Sequence, residues 1–204
     1  MQIRFAAELT SEEYVRQQAW RRATLSSCPL HPAGGCGFAR HTTYGRVEPS
    51  GARIARYYCR KGHTTFSLLP DCLASRLPST LEEVERVASK VEQAEGSLEV
   101  LAEQLRSDIE RQGAVRWVRR RVHGVRVALV TVLGLLPDLL AGRAPTLEAL
   151  RQALGVEQVL PAPRTRVARH LASLPPPLGF GPRPRSGKRA PTSLQHGMGT
   201  DPPS

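Results

Sequence analysis

Five side chains that can ligate a metal ion lie close together in the chain. Cys28, His31 and Cys36 form a first group, and Cys59 and His63 form a second. Structural Zn²⁺ takes four thiolate or imidazole ligands, usually as two close pairs on two turns. Two ligand sets are open: Cys28, Cys36, Cys59 and His63, which the glycines around Cys36 favour, or the same set with His31 in place of Cys36. The sequence thus predicts a structural zinc ion.

Catalysis is not expected at this site. A catalytic zinc needs an open coordination position and a nearby general base. Glu48 is the only carboxylate between the two ligand groups, and it falls in a predicted turn. A Cys–His nucleophilic pair would lack an orienting acid. Cys72, in the apolar stretch LLPDCLASRL, is predicted to pack in the core. We therefore predict that the protein is not an enzyme.

Short β-prone segments separate the two ligand groups and must position them. The pattern predicts strands at 38–44, 53–59 and 63–69, with a turn at 48–51. A capping box at Thr10–Glu13 predicts a helix from about 11 to 24. The ligands would then lie on a small β-hairpin module. A hairpin with so little core would draw its stability from the metal.

After Pro78 the apolar residues recur with helical spacing. Capping signals and breakers predict helices at about 80–93, 97–106, 114–135, 146–154 and 164–174. The predicted fold class is α+β and mostly α. Its predicted parts are an N-terminal helix at 1–27, a zinc-ribbon-like module at 28–78, a helical, helix-turn-helix-like domain at 79–136, a helical extension at 137–180 and a disordered basic tail at 181–204.

The charge of the chain predicts a polyanionic partner. Lys and Arg number 29 against 18 Asp and Glu, giving a net charge of +11, and nearly all the cations are Arg. Arg matches phosphate and guanine edges, so DNA is the first candidate and RNA the second. The competing interpretation is the codon bias of a GC-rich genome. No secretory signal is recognisable, and the longest apolar run, Val127–Leu136, is too short to span a bilayer. A cytoplasmic location with reduced cysteines, away from the membrane, is expected.

Two arginine-bearing segments are candidates for nucleic-acid contact. Ser97–Arg106 and Gly113–Arg126 have the layout of a helix-turn-helix, whose second helix would enter the major groove. The predicted hairpin offers a second basic surface. The competing interpretation is that these residues are only solvated. The candidate residues are Arg40, Arg46, Arg53 and Arg56 on the hairpin and Arg116, Arg119, Arg120 and Arg121 on the helix.

Three motifs carry a resemblance to a known family. They are Cys28–Pro29, the run RHTTYGR at Arg40–Arg46, and RYYC at Arg56–Cys59 continued by TFSLLP at Thr65–Pro70. Together with the later RWVRRR they resemble transposase-type zinc-ribbon/helix-turn-helix proteins of bacterial mobile elements, over roughly residues 28–126.

The resemblance implies a structural zinc and binding to DNA at element ends or at an operator. Cys28 and Cys59 match the family's cysteines directly, His63 replaces a cysteine, and His31 stands in an expected cysteine place. No catalytic acidic triad can be assigned.

The sequence therefore predicts a non-catalytic, zinc-dependent DNA-binding protein associated with transposition or its regulation. The alternative is a zinc-stabilised protein-interaction module without a nucleic-acid role. Its helices would dock a protein partner or a second copy through Val127–Leu136 and Leu147–Leu154.

Overall fold

A computed structural model describes residues 1–181, so all but the first residue of the predicted basic tail lies outside the described residues. Four strands form one sheet in the order β1-β4-β3-β2. β1 runs parallel to β4, and the other neighbours are antiparallel. The strands are β1 Gln2–Phe5, β2 Ala39–Gly45, β3 Arg53–Cys59 and β4 Thr64–Pro70. With the helices that follow, they confirm the α+β fold class.

The two faces of the sheet differ because successive side chains of a strand point to opposite sides. On one face, Ala55, Tyr57 and Cys59 of β3 are buried with Phe66 and Leu68 of β4. The other face carries Ile54, Arg56 and Tyr58, and only part of it is covered by apolar contacts. This alternation assigns Cys59 to the buried face.

The N-terminal segment departs from the prediction in two ways. The capping box at Thr10 and Glu13 is present, but α1 covers only Ser11–Arg16. Gln18 has a left-handed backbone (φ 48°), and a short 3₁₀ turn follows at Ala19–Arg21. The single helix predicted for 11–24 is therefore wrong. β1 was not predicted, because four residues paired with a distant strand leave little local pattern.

Six further helices are described: α2 Leu81–Gln93, α3 Leu98–Leu105, α4 Arg111–Leu135, α5 Pro137–Leu140, α6 Leu147–Leu154 and α7 Pro161–Arg166. Thr80, Ser97 and Thr146 each accept a hydrogen bond from the backbone N–H three residues on. Side-chain caps of this kind satisfy amides that lack an intrahelical partner. The capping residues in the sequence therefore predicted the starts of these three helices correctly.

The last predicted helix, 164–174, is displaced towards the N-terminus. α7 begins at Pro161, and a 3₁₀ turn at Ala168–His170 follows it. The buried carboxylate of Glu85 on α2 accepts hydrogen bonds from the backbone N–H groups of Val159 and Leu160, at 2.8 and 2.9 Å. A tertiary contact therefore helps to fix the start of α7, which has no side-chain cap but begins with a proline, Pro161, at its first position.

The largest apolar cluster joins the loop after β4 to the helices. It contains Ala74 and Leu77 of that loop together with side chains from α2, α4, α5, α6 and the segment from 159 to 178. A smaller cluster packs α2, α3 and α4 together through Val87, Ala102 and Val118. Within residues 1–181 no helix is long and apolar enough to cross a membrane. α4 has the length but carries six arginines.

Candidate metal centre and arginine surfaces

Four of the five predicted ligands converge at one point of the structure. The ligand atoms of Cys28, His31, Cys36 and Cys59 all lie within 4.8 Å of one another, and we call this group the Cys₃His cluster. His31 Nδ1 is 3.7 Å from Cys28 Sγ and 3.4 Å from Cys59 Sγ. Ligand atoms of a tetrahedral zinc are about 3.3–3.8 Å apart, given metal–ligand distances of about 2.0–2.3 Å. Both His31 distances fall in this range, and the four side chains together could hold a metal ion.

The first three ligands come from one compact loop. Cys28 and His31 pair across a turn, in which the His31 N–H donates to the Cys28 carbonyl at 3.2 Å. Gly34 and Gly35 then have left-handed backbones, with φ of 84° and 70°, a region that glycine enters without steric cost. This turn returns the chain so that Cys36 reaches the same point as Cys28.

The fourth ligand comes from the end of β3. Cys59 is fully buried, and the Gly62 N–H lies 3.2 Å from its sulfur as a hydrogen-bond donor. A Cβ at Gly62 would lie 2.8 Å from the Leu30 side chain, so a larger residue would press on the loop that carries His31. The Lys61 N–H donates to the Cys36 carbonyl at 3.1 Å and joins the two ligand segments directly.

The thiols of the cluster differ in acidity. Burial opposes ionisation of Cys28, but hydrogen bonds from His31, the nearby backbone and Cys59 outweigh it and lower the pKa of the Cys28 thiol to about 6. Burial and the neighbouring thiols Cys28 and Cys59 raise the pKa of Cys36. Thiolates are the metal-binding form, so at neutral pH the cluster presents at least one ionised ligand.

His63 is not part of the Cys₃His cluster, although both predicted ligand sets included it. Its backbone is left-handed, with φ of 45°, and its Nδ1 lies 3.4 Å from the Tyr58 hydroxyl. Tyr58 precedes Cys59 in β3 and therefore points to the opposite face of the sheet. The predicted pairing of Cys59 with His63 is therefore corrected. Their side chains lie on different faces of the sheet, which the spacing in the sequence does not reveal.

Both His31 and Cys36 belong to the cluster, whereas the sequence had offered them as alternatives. The signal that could have found this is the Gly34–Gly35 pair, which reverses the chain between the two residues. Cys72 lies outside the cluster and is only partly buried, packed against the edges of two apolar clusters, so its predicted place in the core is met only in part. Burial raises the pKa of the Cys72 thiol to about 12, so it stays protonated at neutral pH.

Three of the four hairpin arginines hydrogen-bond within the protein. Arg40 donates to the carbonyls of Trp20 and Arg21. Arg53 donates to Thr43. Arg46 donates to the carbonyls of Ala74, Leu77 and Ser79, and its burial lowers its pKa. These three side chains connect elements of the fold. Arg56 is different, because its guanidinium lies over the Tyr44 ring, 5.1 Å from the ring centroid.

The arginines of α4 also divide into two groups. Arg121 is only 4% exposed, its guanidinium lies 3.6 Å from the centre of the Trp117 ring, and burial lowers its pKa to about 10. It cannot reach a ligand at the surface, so it is removed from the predicted contact set. Arg119 pairs with Glu99 of α3 at 3.7 Å. Arg116 and Arg120 are exposed and have no ion-pair partner among the described residues.

Comparisons with family models, with curated proteins and with solved structures found no match to this chain. The family suggested by the ribbon motifs therefore stays a prediction, and function has to be argued from the geometry of the Cys₃His cluster and of α4.

Proposed function

We propose that the protein is a non-catalytic DNA-binding protein whose sheet is stabilised by a zinc ion at the Cys₃His cluster. The observation that carries the DNA-binding part is the exposed side of α4. There Arg116, Arg119, Arg120, His123 and Arg126 form a row that we call the α4 stripe. A link with transposition or its regulation rests on the motif resemblance alone.

The donor set supports zinc in a structural role. Three thiolates and one imidazole are ligands that Zn²⁺ favours, and four of them complete a tetrahedral site. No carboxylate belongs to the cluster in the part of the chain that the structure describes. Four protein ligands complete the tetrahedral set and leave no open position for an attacking water molecule. The ion would join the loop at 28–36 to the end of β3.

The α4 stripe differs from an ordinary solvated helix surface. α2 mixes signs, with Glu82, Glu83 and Glu92 beside Arg86 and Lys90. Such mixed charges at three- or four-residue spacing stabilise an exposed helix. α4 has six Arg and no Asp or Glu. Glu99 of α3 pairs with Arg119, but Arg116, Arg120 and Arg126 have no ion-pair partner among the described residues. Uncompensated cations in one row repel each other unless a polyanion neutralises them, so the composition of α4 favours a phosphate-rich partner.

The packing of α4 presents this row outward. Val115, Val118 and Val122 bury its opposite side against α2 and α3. α3 and α4 are joined by residues 106–110, where Arg106 pairs with Asp108 at 2.7 Å. A 25-residue helix is about 37 Å long, and the major groove of B-DNA accepts an α-helix. We infer that the α3–α4 unit acts as a helix-turn-helix with α4 as its recognition helix.

The interaction-module alternative has less support. Its two proposed docking segments bury their main apolar side chains inside the protein itself. Ala128, Leu129 and Val132 of α4 and Leu147 and Leu150 of α6 all lie in the largest apolar cluster and are fully buried. Side chains already packed in a core are not available to a partner or to a second copy.

The test compares two triple variants that lose the same charge. The stripe variant is Arg116→Ala, Arg119→Ala and Arg120→Ala, and the control is Arg16→Ala, Arg143→Ala and Arg169→Ala, all exposed residues elsewhere. Fluorescence anisotropy would measure the affinity for a short mixed-sequence duplex over a range of salt. Each lost phosphate contact should lower the slope of log K against log[salt] by about 0.9.

We expect the slope of the stripe variant to fall by about 2 to 3 while the control stays close to the wild type. Equal losses in the two variants would show that only net charge matters and would contradict the recognition-helix assignment. A wild type that binds no duplex at low salt would contradict DNA binding itself. A parallel titration with duplex RNA tests the second nucleic acid, and tighter binding to RNA would also contradict the proposal.

A further inference from the structure

An open cavity of about 660 Å³ lies on the sheet face that carries Arg56 and Tyr58, opposite the face of Cys59. Its size falls in the range of small-ligand sites. Arg56, Arg76 and His63 contribute cationic or hydrogen-bonding groups to its wall, and Tyr44, Thr65 and Ser67 contribute hydroxyls. Among the described residues, no carboxylate lines this cavity. We call it the sheet cavity.

The strand register explains why these polar side chains meet. Gln2 of β1 pairs with Ser67 of β4, and Ser67 pairs with Arg56 of β3. Residues paired across neighbouring strands point to the same face. The three side chains therefore form a row across the sheet, and Thr65 lies two positions along β4 on the same side. On this face the row lies beside the apolar pair formed by Ile54 and Leu69.

Two atoms in this row lack partners. Arg56 Nε and Gln2 Oε1 are both buried and make no hydrogen bond among the described residues. A buried polar group without a partner costs about 1–3 kcal/mol, so such groups are uncommon unless a ligand or water completes them. A half-turn of the Gln2 amide would present its NH₂ group in place of its oxygen. Both side chains line the cavity, and because these two atoms are covered in this conformation, a small side-chain rotation would be needed for them to donate to an anion there.

Arg76 connects the sheet cavity to α4. Its backbone is left-handed, with φ of 53°, which is uncommon for a residue with a side chain. Arg76 lines the sheet cavity and also a second cavity that contains Arg120 and His123 of the α4 stripe. The second cavity likewise has no carboxylate in its wall among the described residues. Cationic groups therefore continue from the sheet cavity to the stripe.

We infer that the sheet cavity binds a phosphate group, held by the guanidinium of Arg56 and by donors from Gln2, Ser67 and Thr65. A guanidinium fork can pair with two oxygens of either a carboxylate or a phosphate. The hydroxyls beside it supply donors for further oxygens, which a phosphate has and a carboxylate lacks. The phosphate comes either from a nucleic-acid backbone or from a free phosphate compound. In the first case the assignment rests on the proposed DNA-binding function.

The first arm of the test uses inorganic phosphate with the full chain. Amide ¹H–¹⁵N spectra of zinc-loaded protein would be recorded during titration with phosphate and, separately, with acetate. We expect saturable shifts for the amides of Arg56, Thr65 and Ser67 with phosphate and much smaller shifts with acetate. Arg56→Gln should weaken phosphate binding by about tenfold or more, because a charged hydrogen-bonding partner is lost.

Two variants control this arm. Arg169→Gln removes the same charge from an exposed site on another part of the fold and should leave the titration unchanged. Ser67→Ala keeps the strand and removes one hydroxyl, so it stays informative if Arg56→Gln fails to fold, and it should weaken phosphate binding severalfold. Equal phosphate shifts in wild type and in both cavity variants, or no shifts in the wild type, would overturn the assignment.

The second arm separates the two sources. If the phosphate belongs to DNA, Arg56→Gln should lower duplex affinity and reduce the salt slope by about 0.9, while Arg169→Gln does neither. If Arg56→Gln abolishes the phosphate shifts but leaves duplex affinity intact, the cavity is a site for a free phosphate compound. If the wild type binds phosphate there but no duplex, the cavity assignment holds and the proposed DNA-binding function fails.

Discussion

The Cys₃His cluster and α4 use their chemically informative side chains in different ways. In the cluster, four ligands from two separate segments converge on one point, and each has a single role that fits its chemistry. On α4, arginines that are neighbours in sequence have different roles. Arg120 is exposed, whereas Arg121 is buried against Trp117. A similar difference separates Arg46, which donates to three backbone carbonyls, from Arg56, whose guanidinium lies over the Tyr44 ring.

The difference follows from the side chains themselves. A cysteine is short, so its sulfur stays near its backbone, and few arrangements bring three sulfurs and an imidazole together by chance. An arginine has a long apolar stem and five donors, so it can satisfy backbone carbonyls, cover a ring or face solvent. Metal-ligand types were therefore informative in the sequence, whereas the role of each arginine has to be established from its contacts.

The largest expected effect concerns the cluster. Cys59→Ser should lower the free energy of unfolding of zinc-loaded protein by at least about 5 kcal/mol, because zinc-finger peptides gain about 10 kcal/mol or more from the metal. Cys72→Ser is the matched control outside the cluster and should cost far less. Urea denaturation followed by far-UV circular dichroism measures both. Similar losses in the two variants would mean that the cluster contributes no more than ordinary packing.

A smaller effect is expected for an arginine that holds the fold. Arg46→Ala removes hydrogen bonds to the carbonyls of Ala74, Leu77 and Ser79. Hydrogen bonds of a charged donor contribute about 1.5–3 kcal/mol, so we expect a loss of about 2–3 kcal/mol in the free energy of unfolding. Duplex affinity, measured well below the melting temperature, should match that of Arg169→Ala. A loss of duplex affinity without a loss in the free energy of unfolding would show that Arg46 contacts DNA.

The smallest effects should come from the neighbouring pair on α4. Arg121→Ala removes a guanidinium that covers Trp117 and should cost about 1 kcal/mol of stability with little change in the salt slope. Arg120→Ala should leave stability within about 0.5 kcal/mol and reduce the salt slope by about 0.9. Thermal melts and anisotropy on the two variants check this. Interchanged outcomes would show that the roles of the two arginines have been assigned the wrong way round.

Much of the helical part could be predicted because its signals are local. Thr80, Ser97 and Thr146 cap their helices as their positions suggest, and Gly155 ends α6 with a left-handed backbone. β1 could not be predicted, and the start of α7 was predicted too late in the chain, although Pro161 at its first position is a local signal. Each depends on residues far away in sequence, β4 for the strand and Glu85 for the helix.

The sequence predicted the types of ligand at the candidate metal site correctly, but it predicted only part of the ligand set. Cys28 and Cys59 belonged to both expected ligand sets and lie in the cluster. The error was at His63, since a pair spaced like Cys59 and His63 is typical of a zinc knuckle. The left-handed backbone of His63 turns it towards Tyr58, and a residue count does not reveal this.

The metal content of His31→Ala and His63→Ala, with wild type alongside, is the most direct test of a zinc site formed by the Cys₃His cluster. The three proteins would be purified under reducing conditions, dialysed against metal-free buffer and measured by elemental analysis. We predict about one zinc per chain in wild type and in His63→Ala, and little in His31→Ala, because only His31 belongs to the four-ligand site. Retention of zinc in His31→Ala with loss in His63→Ala would contradict this ligand set. The absence of zinc from folded wild type would contradict the zinc site itself.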